Sequence, residues 1–186
     1  MPRVPLPFAR PKPIIGVVHL LPLPGSPGWG GDFDEVLRRA REDAHALVDG
    51  GCDGVIVENM GDAPHFPTTV PPVTVAAMTR AVAAVQDLVG HLAPVGVNVL
   101  RNDATAALSI AAATGARFIR VNVHQGVMVG TEGVLEGKAA ETLRLRAALE
   151  AEVAILADVL VKHASPLGAT DMLEDLRFER EPHATR

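Results

Sequence analysis

The chain has 186 residues, 48% of them hydrophobic and 21% charged, with a formal net charge of −5. Those proportions suit one globular domain with a sizeable apolar core and exclude a disordered or fibrous chain. The acidic balance, with no cluster of Lys and Arg, argues against nucleic acid as a partner.

Residues 1–13 carry Pro2, Pro5, Pro7, Pro11 and Pro13. They read as a Pro-rich arm, too broken for the helical core of a signal peptide. Five short runs rich in Val and Ile follow, at 14–19, 55–59, 95–100, 118–123 and 154–161. Continuous apolar runs of this length predict strands buried on both faces of a parallel sheet. Between them the spacing predicts helices over 34–49, 73–91, 104–114 and 138–152. Asp32 and Asp103 stand where N-caps belong, and Gly50-Gly51 and Gly115 where helices stop.

Strict alternation of strand and helix implies right-handed parallel crossovers. Two Gly-rich segments, 20–31 and 124–137, read as long loops after strands, which puts the elaborated face at the strands' C-terminal ends. The predicted fold is α/β of the (β/α)8 TIM-barrel type. About five units occupy 14–168, short of the roughly 250 residues of a complete barrel. Residues 169–186 read as a divergent charged tail.

Cys52 is the single cysteine and reads as a packing residue, so nothing asks for an oxidising compartment. No apolar stretch approaches the roughly 20 residues of a transmembrane helix. The expected location is cytoplasmic.

Polar residues inside strands are informative, because burying them is unfavourable unless they are paired. Alternation puts Ile119, Val121 and Val123 on the face that meets the helices, and Arg120, Asn122 and His124 on the other. The same logic aligns Asp158 with Lys162 on the fifth strand and Asn98 with Asn102 past the third. Glu58 ends the second strand and His19 the first. The predicted mouth is therefore ringed by His19, Glu58, Asn98, Arg120, Asn122, His124, Asp158 and Lys162.

Asp158, Lys162, Glu58 and His124 form the candidate catalytic set, with Asp158 or Glu58 as general base and Lys162, Arg120 and His124 stabilising a developing anion. His19, Asn98, Arg120 and Asn122 are candidate ligand-binding residues. A plainer alternative stands beside this: Arg120 and Asp158 as a satisfied interior ion pair, and the asparagines bonded to backbone or water. His19, Glu58, His124 and Asp158 are of types that zinc or manganese accept, but no H-x-H or H-E-x-x-H spacing supports a site. No metal is assigned and the cofactor is unknown. The glycines at 25–31 lack both the P-loop lysine and the G-x-G-x-x-G spacing.

Several segments, in order, resemble one family. They are Gly16-Val-Val-His19-Leu-Leu-Pro-Leu-Pro24, Val57-Glu58-Asn59-Met-Gly61-Asp62-Ala-Pro64 and Gly96-Val-Asn98-Val-Leu-Arg101-Asn102-Asp103. Phe118-Ile-Arg120-Val-Asn122-Val-His124, Glu136-Gly137, Leu143-Arg-Leu-Arg146 and Asp158-Val-Leu-Val-Lys162-His163 continue the pattern. The resemblance is to the BtpA/SgcQ family and covers about residues 13–168. It implies a TIM barrel related to phosphate-binding barrels.

Photosynthetic members of the family are implicated in photosystem I biogenesis or stability as proteins peripheral to the membrane; others occur beside sugar metabolism. Family members usually continue through three further strands that carry the phosphate site, so the resemblance implies a C-terminally truncated barrel. Three readings follow: an enzyme-like barrel for a small phosphorylated or sugar-like metabolite, a non-catalytic assembly factor, or a remnant without function. A homo-oligomer covering the open sheet edge is a further expectation.

Overall fold

The computed structural model describes residues 4–168. In chain order it contains β1 (Ile15–His19), α1 (Phe33–Asp49), β2 (Gly54–Glu58), α2 (Pro72–Val89), β3 (Val95–Asn98) and α3 (Ala104–Thr114). Then come β4 (Phe118–Val121), β5 (Val127–Gly130), β6 (Gly133–Glu136), α4 (Ala139–Ala148), β7 (Ala154–Ala157) and β8 (Ala164–Pro166). The five expected strands form one sheet in the order β1-β2-β3-β4-β7, each neighbouring pair parallel. This is the wall of a barrel wound in one direction, and among the described residues it does not close; β1 and β7 are its edges.

One face of the sheet packs on the helices. Val18, Val55, Val57, Val95, Val97, Ile119 and Val121 share a core with Val36, Ala40, Met78, Val82, Leu108 and Ala111. Burying each large aliphatic side chain contributes about 1.5–3 kcal/mol. The caps act as expected. Asp32 accepts from Asp34 N and Glu35 N at the start of α1. Asp103 accepts from Ala106 N and, with its other oxygen, from Val70 N, both at 2.9 Å. One carboxylate thus caps α3 and holds the segment before α2. Gly115 ends α3 in the left-handed region at φ 78°, where only glycine fits without strain.

The other face has an apolar floor at the strands' N-terminal ends. Ile56, Phe118 and Ala154 cluster there with Val4, Phe8, Ile15 and Leu156. Phe8 meets Phe118 edge to face at 5.2 Å between ring centroids. The Pro-rich arm therefore folds back over the inner side of the sheet. Two glycines make room: a Cβ on Gly54 would lie 2.8 Å from the Phe8 ring, and one on Gly96 would overlap the Phe118 ring. Asp53 secures the arm, accepting from Ile14 N at 2.9 Å and pairing with Arg10 at 3.3 Å.

Three expectations need correction. The segment 124–137, expected as a loop, contains the antiparallel hairpin β5–β6, and β8 adds to β5 to give a second sheet of order β6-β5-β8. Its glycines hide the strand alternation, since Gly126 and Gly133 take φ of 70° and 104°. Met128 and Leu135 bury with Val123 and Val161 in a small separate core. The fifth strand stops at Ala157 rather than 161, because Leu160 takes φ 60° and the chain reverses into β8. The last helix ends at Ala148, with Glu150 at φ 50° just beyond. The expected tail, 169–186, lies outside the described residues. Among those described, no helix is long and apolar enough to cross a membrane.

Gly96→Ala should lower stability by about 1–3 kcal/mol, the usual effect of overpacking a tight core. Adding Phe118→Leu should recover part of that loss. Chemical denaturation of the three proteins would check it. An unchanged midpoint for Gly96→Ala would show that Phe118 does not rest on the sheet as described.

Candidate functional site

The C-terminal end of the inner face carries a connected set of polar side chains. Register puts His19, Glu58 and Asn98 level with one another on β1, β2 and β3. Glu58 is 4% exposed, and a buried carboxylate needs partners. Asn98 Nδ2 donates a short hydrogen bond to Glu58 Oε2. On the other side, His19 Nε2 lies 3.5 Å from Glu58 Oε1, with the imidazole itself largely open to solvent. Arg120, from β4, reaches across β3 to place Nη1 3.6 Å from Glu58 Oε2.

Arg120 also holds Asp158, just past the end of β7. Its Nε donates to Oδ1 at 2.9 Å and its Nη2 to Oδ2 at 2.8 Å. That is the bidentate fork a guanidinium makes best with a carboxylate. Asn122 Nδ2 adds a third bond, to Oδ2 at 3.0 Å. The hydrogen bond to Asp158 is the main cause that raises the Arg120 pKa above its ordinary value, against partial burial, with Glu58 adding to it. The centre of the site is thus a permanent cation between two carboxylates.

Six of the eight predicted residues are brought together: His19, Glu58, Asn98, Arg120, Asn122 and Asp158. Lys162 is not. It is exposed in the turn between β7 and β8, and among the described residues it makes no ion pair with Asp158. The alternation that aligned the two ended when the strand did. His124 is buried at the base of the hairpin, where its carbonyl accepts from Ala139 N at 3.0 Å.

The remaining asparagines brace the mouth. Asn102 Oδ1 accepts from Val123 N at 2.9 Å, while its Nδ2 donates to Val123 O at 2.9 Å and Glu136 O at 3.2 Å. This ties the end of β4 to the base of the hairpin. Asn59 Oδ1 accepts from Leu100 N at 2.7 Å. Its Nδ2 donates to Asp62, which in turn accepts from Leu23 N at 2.8 Å.

Arg101 was missed by sequence reasoning, because the alternation that aligns Asn98 with Asn102 puts it on the opposite face. It is 8% exposed, with Glu132 of the hairpin turn 3.6 Å away. A cleft of about 500 Å³ opens elsewhere, between α2 and α3, beside Thr68, Thr69, Thr105, Ser109 and Lys138. It is apart from the Arg120 network, whose converging charges make the stronger case for chemistry. Among the described residues, no three His, Cys, Asp or Glu side chains group as metal ligands would.

The sequence is similar to those of known proteins. A model of the BtpA family matches residues 10–182. The photosystem I biogenesis protein BtpA of Synechocystis sp. is 56% identical over 165 residues, 89% of this chain and 57% of that protein. An uncharacterized protein of Thermococcus kodakarensis is 50% identical, over 84% of this chain and 59% of its own length. One of Methanocaldococcus jannaschii is 43% identical, over 86% and 60%. The chain thus spans less than two thirds of the length of these curated relatives. Among solved structures, one described as PhdJ bound to substrate intermediate aligns at a TM-score of 0.49 and 19% identity, over 78% of this chain and 43% of that one. At that distance the likeness says nothing about chemistry. The family match and these identities place the chain in the BtpA family.

Proposed function

We propose that the inner mouth binds a small hydroxylated metabolite and that His19 exchanges a proton with it. The observation that carries this reading is the exposed imidazole backed by a buried carboxylate. Glu58 Oε2 is engaged by Asn98 and lies near Arg120, while Oε1 faces His19. A carboxylate in that position orients the ring and sets which of its nitrogens faces the mouth. Asp158 is less available to a ligand, since Arg120 and Asn122 engage both of its oxygens. Its role is to hold Arg120 in place. Hydroxyl groups suit the lining, because carboxylates accept from them and a guanidinium donates to them.

A second reading is favoured by one observation, the 56% identity to a protein named for photosystem I biogenesis. On that reading the chain acts through a protein contact, peripheral to a membrane. Capture of a defined photosystem subunit by the purified chain would support it, and would have to survive His19→Ala.

Thermal melts against a panel of sugars and sugar phosphates test the first reading. A ligand at a hundred times its Kd adds about 2.7 kcal/mol, which is about 5–10 °C for a domain of this size. His19→Ala should change the melt of the free chain by less than about 0.5 kcal/mol, as expected of an exposed side chain. It should also reduce the ligand-induced shift, and Arg120→Met should abolish it. A shift of undiminished size in both variants would place the ligand elsewhere.

A further inference from the structure

The geometry points to an oxyanion site at Arg101, beneath the β5–β6 hairpin, that takes the phosphate or carboxylate group of a small-molecule ligand. Arg101 is 8% exposed, and its backbone N donates to Phe66 O at 2.9 Å, which fixes its Cα at the mouth. Its Nε and Nη2 are buried and have no hydrogen-bond partner. These two atoms form one edge of the guanidinium, the edge with which Arg120 grips both oxygens of Asp158. Arg101 therefore carries the same bidentate fork without a hydrogen-bond partner. Buried charges are normally both paired and hydrogen-bonded, and a guanidinium edge without hydrogen bonds keeps the capacity to hold an oxyanion.

Glu132 supplies the counter-charge without making the bond. Its Oε1 is 3.6 Å from Arg101 Nε, beyond hydrogen-bond reach, and its Oε2 is also buried without a partner. Two half-satisfied groups thus face each other. Glu132 sits in the hairpin turn between Gly130 and Gly133, the latter at φ 104°, so the turn is flanked by residues with wide backbone freedom. Asn102, next to Arg101, ties down the base of the same hairpin through Glu136 O. The base is held by that bond, whereas the tip carries Glu132 Oε2 without a partner. An arriving oxyanion would fill the fork and release Glu132 to solvent, making Glu132 a resident competitor for the site.

The test is a titration of the 186-residue chain, and of Glu132→Gln, with inorganic phosphate and separately with acetate, following the arginine Nε–Hε resonances by NMR. The Arg101 resonance should move and saturate, and the anion that binds more tightly names the oxyanion class. Glu132→Gln should tighten binding by about ten-fold, since the competing state is removed. Arg101→Lys in that background should weaken it by about ten-fold, because an ammonium cannot reproduce the fork. An Arg101 resonance that stays put in Glu132→Gln, or an affinity unchanged by that substitution, overturns the assignment without any Arg101 variant having to fold. Neither measurement involves His19 or turnover, so the result stands apart from the reading of the mouth.

Discussion

Arg120 places one guanidinium between two carboxylates, Glu58 and Asp158, and the inner side of the sheet is arranged around that fact. A cation within 3.6 Å of both acids offsets the repulsion between them, which lets the two share one mouth. The pairing also specifies the sheet. Arg120 lies opposite Leu156, and the β4–β7 ladder continues to Asp158 N, which donates to Val121 O. A slip of one residue would turn Asp158 toward the helices and put Ala157 or Val159 in its place beside Arg120, because side chains alternate faces with a period of two. Ion pair and register therefore hold each other in place.

That period sorts the inner face into two layers. Ile56, Phe118 and Ala154 form the floor, and the residues two or four further along, Glu58, Arg120 and Asp158, form the mouth. Gly96 and Asn98 repeat the step on β3: the glycine admits the Phe118 ring and the asparagine reaches Glu58. A dry floor beneath a charged mouth strengthens the charges, since fewer waters compete for them. The arm contributes through Phe8, so a segment with no regular structure sets the polarity under the site.

The regular parts of this arrangement were legible in the sequence because they follow simple periods. Five apolar runs marked the five parallel strands; strict alternation put Arg120 and Asn122 on the inner face, and Glu58 was read at its strand's C-terminal end. The interior ion pair was one of two open readings, and the structure contains it. What was illegible depends on backbone departures from the period. Gly126 and Gly133 broke up the hairpin's alternation, so its strands looked like loop. Leu160 turned the chain and took Lys162 out of line with Asp158. Arg101 sits in no element at all, and only the folded arrangement of hairpin and mouth buries it.

Arg101 and Arg120 make the same point from opposite sides. The two side chains are chemically identical, and both stand near the C-terminal ends of neighbouring strands. Arg120 extends from within a strand, so the sheet's own register delivers Asp158 to its fork; the partner is as fixed as the hydrogen-bond ladder. Arg101 extends from beyond a strand, and the nearest acid arrives on a hairpin turn that no ladder aligns with it, leaving 3.6 Å between them. A pair fixed by register serves as scaffold, because separating it means breaking the sheet. A pair brought together by a turn flanked by glycines can open without disturbing the strands, and opening is what exchange with a ligand requires. The difference between the two arginines therefore lies in which element carries the partner, not in the arginine.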